Sequence, residues 1–171
     1  VSITGSNAIC IGSTTTMAVA PVSGGTWFST NTFVATINST TGVVTAVAAG
    51  FARFYFVDAT GCQSDNSLPV TVNAPPTTSF TGPNTICEGQ NTFVSPTTGG
   101  TWATGNASVA TITNLGVVTG IASGSTTLIF THSGTSCSST PLTVTVAAKP
   151  IVSLTGPSPI CIDSTTSVSV T

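Results

Sequence analysis

Apolar and polar residues alternate along this chain in short runs, and turn residues interrupt each run before it grows long. No stretch repeats its apolar positions at helical spacing. Period-two alternation sends successive side chains to opposite faces of an extended backbone, so each run predicts a half-buried strand. Within the first 74 residues the runs predict strands over 2–5, 14–20, 26–29, 33–38, 43–47, 52–58 and 69–72. The next stretch predicts them again over 78–82, 91–95, 101–103, 109–113, 117–121, 126–132 and 142–146. Seven short strands per unit, separated by Gly, Pro, Asn and Ser, fit a compact immunoglobulin-like sandwich.

The two sets of strands belong to two copies of one pattern. Gly24-Gly25-Thr26-Trp27 returns as Gly99-Gly100-Thr101-Trp102, and Val34-Ala35-Thr36-Ile37 as Val109-Ala110-Thr111-Ile112. Gly42-Val43-Val44-Thr45 returns as Gly116-Val117-Val118-Thr119. A third copy opens with Leu154-Thr155-Gly156 and Cys161, matching Ile3-Thr4-Gly5 and Phe80-Thr81-Gly82 in the earlier two. Pro75-Pro76 and Lys149-Pro150 mark stiff joints between copies. The expected organisation is therefore all-β, tandem immunoglobulin-like β-sandwich modules over 1–74 and 75–148, with the start of a third over 149–171. Because the chain ends inside a copy, a segment of a longer protein is expected.

Val34 to Gly50, and Val109 to Gly124 in the second copy, carry V-A-T-I, a turn, G-V-V-T and a following apolar strand. This stretch resembles the bacterial immunoglobulin-like domain, group 2. With the added cysteines and the G-G-T-W motif, the whole resembles tandem repeats in large repetitive surface proteins of Bacteroidota. The resemblance implies a sandwich fold. It leaves function open, since such domains serve adhesins, stalks and enzyme accessory units alike.

Composition narrows the classes further. Only two Lys or Arg and four Asp or Glu occur in 171 residues, 4% in all against about 25% in ordinary soluble domains. Two cations cannot neutralise a run of phosphates, so nucleic acid is excluded as a partner. Nor does any run approach the ~20 apolar residues of a spanning helix, so no membrane insertion is expected. A surface of Ser and Thr repels its own kind weakly, which favours self-association into a homo-oligomer or polymer.

The cysteines follow the repeat: Cys10 and Cys62 in the first copy, Cys87 and Cys137 in the second. Recurrence once per module makes the intradomain pairs Cys10–Cys62 and Cys87–Cys137 the simplest expectation, with bridges between modules as the alternative. Cys161 then awaits a partner beyond Thr171. Disulfides imply an extracellular or cell-surface location. Zinc sites place two ligands within a few residues, whereas these cysteines are solitary and only His132 could join them, so no metal or other cofactor is expected. Trp27 and Trp102 are expected in the core.

Comparing the copies separates shared from unshared residues. Phe54 and Phe56 match Leu128 and Phe130, apolar in both and so assigned inward. Phe51, Arg53, Tyr55 and Val57 face the other way, where the second copy has Ser125, Thr127, Ile129 and Thr131. Phe28 likewise matches Ala103, and Phe33 matches Ser108. Phe28, Phe33, Phe51 and Tyr55 thus become candidate subunit contacts, with local packing as the alternative.

Catalytic chemistry is not expected. His132 is the sole histidine, assigned to an exposed strand end, and the four acids are scattered over three copies. Asp163-Ser164-Thr165 resembles a short bacterial O-glycosylation sequon with Ser164 as acceptor. Asn38-Ser39-Thr40 and Asn106-Ala107-Ser108 match the N-glycosylation pattern and are read as incidental. The expected function is structural: repeat modules of an extracellular filament, stalk or cell-surface fibre. Spacer modules of a surface adhesin, or a carbohydrate-binding module that meets surface glycans, are the alternatives.

Overall fold

A computed structural model describes residues 2–20, 24–155, 162 and 167–170. The first ten strands are β1 (Ser2–Thr4), β2 (Ala8–Cys10), β3 (Thr14–Thr16), β4 (Ala18–Ala20), β5 (Gly25–Ser29), β6 (Ala35–Ile37), β7 (Val43–Ala46), β8 (Gly50–Ala52), β9 (Phe54–Asp58) and β10 (Val70–Asn73). Eight more follow: β11 (Ser79–Phe80), β12 (Thr85–Cys87), β13 (Asn91–Ser95), β14 (Gly100–Thr104), β15 (Ala110–Ile112), β16 (Val117–Gly120), β17 (Gly124–His132) and β18 (Leu142–Ala147). Beyond them β19 (Val152–Thr155) and β20 (Ser167–Val170) pair antiparallel. The described residues are all-β, as the alternation predicts.

Strands β11 to β18 form two four-stranded sheets, ordered β12-β18-β17-β14 and β11-β13-β16-β15. Strands β1 to β10 repeat this plan with interruptions. β8 and β9 together occupy the place of the unbroken β17, and β3 and β4 that of β13. The interruptions fall at Arg53 and Met17, inside stretches that the sequence reads as single strands. Both sandwiches also contain a strand that alternation does not predict. β2 and β12 are three-residue edge strands that pair parallel with β10 and β18, too short for a period-two pattern to register. The recurring Asn7-Ala8-Ile9-Cys10 and Asn84-Thr85-Ile86-Cys87 are the signal for them.

Each sandwich closes over its own core. One cluster joins Trp27, Ala35, Val44, Phe54, Phe56 and Val72, and the other joins Trp102, Ala110, Val118, Leu128, Phe130 and Val146. The inward assignment of Phe54, Phe56, Leu128 and Phe130 holds, since none exceeds 5% exposure. The tryptophans pack on a cross-strand aromatic. Trp27 lies opposite Phe56 with ring centroids 5.1 Å apart, and Trp102 opposite Phe130 at 5.2 Å.

The G-G-T-W motif is the local device that seats these rings. Gly24 and Gly99 hold φ of +78° and +82°, a left-handed conformation that a side chain disfavours. At the next position a Cβ on Gly25 would collide with the Phe56 ring and the Val57 carbonyl. One on Gly100 would meet the Phe130 ring and the Thr131 carbonyl. The strand can approach this closely only without a side chain there.

Candidate functional site

The cysteines do not pair as expected. Cys10 is bonded to Cys137, across 127 positions, with Cα atoms 5.6 Å apart, while Cys62 and Cys87 are exposed thiols. The intradomain pairs Cys10–Cys62 and Cys87–Cys137 are thus replaced by a bond between the two sandwiches. Register explains why. Cys10 lies opposite Asn73, one step past the Val72–Gly50 pair, so it sits at the Gly50 end of the β8–β9 run. Cys62 donates no bond at that end; its carbonyl accepts from the Asp58 N–H at the other. Eight residues of extended chain separate the ends by roughly 26 Å, far outside the ~7 Å that a disulfide tolerates.

The second sandwich has the same polarity. Cys87 lies opposite Ala147, beyond the Val146–Gly124 pair, whereas the Cys137 carbonyl accepts from the His132 N–H at the far end of β17. Each sandwich therefore carries one cysteine on an edge strand at its first end and one on a hairpin at its second. The observed bridge takes the edge-strand cysteine of one sandwich and the hairpin cysteine of the next.

The two hairpins are built alike around the serine that follows two positions after the cysteine. Ser64 Oγ accepts from the Phe56 N–H, and Ser139 Oγ accepts from the Phe130 N–H. Their tips differ. The Asp58 carboxylate accepts from the Thr60 hydroxyl, the Thr60 N–H and the Cys62 N–H, at 2.6, 2.8 and 2.9 Å. These bonds, led by the Thr60 hydroxyl, hold its carboxyl below the usual carboxylate range. In the second hairpin His132 Nδ1 occupies the same role, accepting from the Gly134 and Thr135 N–H groups at 3.2 Å. His132 is not the exposed residue expected of it. It is half-buried and lines a crevice of about 140 Å³ between the sandwiches, together with Asn73, Ala74, Pro76 and Thr135.

The aromatic residues peculiar to the first copy form a surface. Phe28 and Tyr55 are cross-strand partners whose rings stack with centroids 5.2 Å apart and planes 14° from parallel. Phe28 is 40% exposed and Tyr55 half-buried. Phe51, 67% exposed, lies on β8, which pairs with β10 and not with the β5–β9 ladder, at the period-two spacing that also turns Arg53 and Tyr55 outward. Phe33 does not join this face through strand pairing. It stands in the turn before β6 at 87% exposure. Arg53 lies between Phe51 and Tyr55 and donates through Nη1 to the Ser67 carbonyl at 2.8 Å.

A cleft of about 410 Å³, walled by Thr4, Asn7, Met17, Ser67 and Val70 among others, offers hydroxyl and amide groups but no acid or base. Among the described residues no three His, Cys, Asp or Glu side chains gather as a metal site requires. Ser164 and Cys161 lie outside the described residues.

No protein-family model and no curated protein sequence matches the chain. Among solved structures it is similar to a C-terminal fragment of intimin bound to the intimin-binding domain of its translocated receptor. That likeness has a TM-score of 0.52 at 14% identity over 90% of this chain. It is also similar to invasin, a bacterial integrin-binding protein, with a TM-score of 0.51 at 11% identity over 91% of this chain. The chain spans 66% of the intimin fragment and 40% of the invasin structure. These likenesses agree with the strand plan in giving the fold as immunoglobulin-like β-sandwiches.

Proposed function

We propose that the chain consists of load-bearing modules of an extracellular, cell-surface fibre or stalk, divided as 1–74, 75–148 and the opening of a third over 149–171. The observation that carries this reading is the covalent bond from Cys10 in the first sandwich to Cys137 in the second. A bond within a module would stabilise that module alone. A bond between modules fixes how one sits on the next and lets tension bypass the folded loop between them. A nearly uncharged surface favours packing of such rods against their neighbours. The exposed Phe28 and Phe51 and the half-buried Tyr55, with the exposed Phe33 nearby in sequence, are the contacts assigned to that packing.

A second reading is favoured by the fold likeness to intimin and invasin, which bind a receptor and integrins respectively. In that reading the modules hold a separate binding domain away from the cell. Sedimentation of the oxidised protein over a concentration series discriminates the two. Reversible oligomers that Tyr55→Ala abolishes support the fibre. A strictly monomeric rod at the highest concentration removes lateral packing and leaves the spacer.

A further inference from the structure

Among the described residues the bridge between the sandwiches leaves two cysteines over, and their places are not arbitrary. Cys10, on edge strand β2, is taken by Cys137 on the hairpin after β17. Cys87 stands on β12 in the register that Cys10 occupies on β2, one step beyond the last antiparallel pair of its sheet. Cys62 is held in its hairpin as Cys137 is, its carbonyl accepting from the Asp58 N–H as the Cys137 carbonyl accepts from His132. The bond consumes the first end of one sandwich and the second end of the other. Cys62 and Cys87 therefore sit at the two outward ends of the pair, and both are exposed. Burial differs accordingly: Cys137, bonded, is 1% exposed.

We infer that Cys87 and Cys62 are the two open halves of the same inter-module bridge. Cys87 bonds the hairpin cysteine of a further module of this sequence pattern, and Cys62 bonds the edge-strand cysteine of another. A second copy of this chain contains both partners. Joining a first end to a second end is a head-to-tail contact that does not close on itself, so repetition gives an open strand of disulfide-linked modules. The inference deepens the fibre reading and rests on it. Two thiols and one small-molecule disulfide react in two exchange steps. The thiolate of Cys87 attacks the reagent and releases one thiol, and the thiolate of Cys62 then attacks the mixed disulfide and releases the second. The protons of the two cysteines end on the two released thiols.

The test uses the full chain carrying Cys161→Ser, which leaves two exposed thiols, oxidised with glutathione disulfide at high protein concentration. Non-reducing gels and mass mapping of the linked peptides read the outcome. The inference expects a ladder of covalent oligomers in which Cys87–Cys62 links exceed Cys62–Cys62 and Cys87–Cys87 links together by about tenfold, since stacking raises the local concentration of the correct partner. Adding Cys62→Ser abolishes the ladder. Symmetric links in statistical proportion, or both cysteines remaining as glutathione adducts beside an intact Cys10–Cys137 bond, overturn the inference and leave the fibre reading standing. Recovery of Cys10–Cys62 and Cys87–Cys137 peptides overturns both.

Discussion

The two sandwiches agree inside and differ outside. Trp27 on Phe56 is reproduced by Trp102 on Phe130 within 0.1 Å of centroid separation, and Val44, Ala35 and Val72 by Val118, Ala110 and Val146. Yet the outer face that holds stacked Phe28 and Tyr55 in the first holds Ala103 and Ile129 in the second. The ladders differ as well. β17 pairs with β14 and β18 along nine residues, whereas β9 pairs with β5 alone. At Phe54, whose counterpart Leu128 pairs with Leu142 of β18, the first sandwich uses a loop instead, and Ser67 Oγ accepts from the Phe54 N–H. Packing of the core tolerates little change, because a buried methylene more or less is felt directly. An outer face, a hairpin tip and a sheet edge are free to acquire contacts of their own.

The largest effect should come from the bond that makes the two sandwiches one unit. Cys10→Ser removes a constraint on 127 positions, worth about 5 kcal/mol in the chain-entropy model. Denaturant unfolding should then resolve into two transitions, the first sandwich melting earlier. Next, Phe56→Ala and Phe130→Ala should each destabilise their own sandwich by about 3–5 kcal/mol. Costs that differ by much more than the scatter of repeated unfolding curves would break the equivalence of the cores. Ser67→Ala strips the Phe54 N–H of its partner and should cost about 1–3 kcal/mol, felt in the first sandwich alone. Phe28→Ala should cost at most about 1 kcal/mol of stability while lowering association of the oxidised protein in sedimentation.

The smallest effect is a pH dependence in the hairpin that Asp58 caps. The Asp58 carboxyl is held below its ordinary value in the folded chain. Its contribution is therefore present above the unfolded carboxylate range, about pH 4, and is lost as pH falls through the lower folded value. The protection factors of the Thr60 and Cys62 amides should fall on that descent.

Much of this was legible from alternation and repetition. The inward set Phe54, Phe56, Leu128 and Phe130 follows from period two, and the buried tryptophans from their place in G-G-T-W. The aromatic surplus of the first copy emerges from aligning it with the second. What could not be read was the direction of the cysteines. Spacing along the chain says that Cys10 and Cys62 recur together, but only strand register shows that they stand at opposite ends of one sandwich. The parallel edge strands β2 and β12 were hidden for a related reason: three residues carry no period, and their pairing partner is some sixty positions away.

The most direct measurement pulls the oxidised chain by its two ends and repeats the pull after reduction. The bridge shields 127 positions from tension, so reduction should add a single hidden length of about 44 nm at ~3.5 Å per residue. Two separate gains matching loops of 52 and 50 positions, or no gain at all, would mean that the sandwiches are not joined through Cys10 and Cys137.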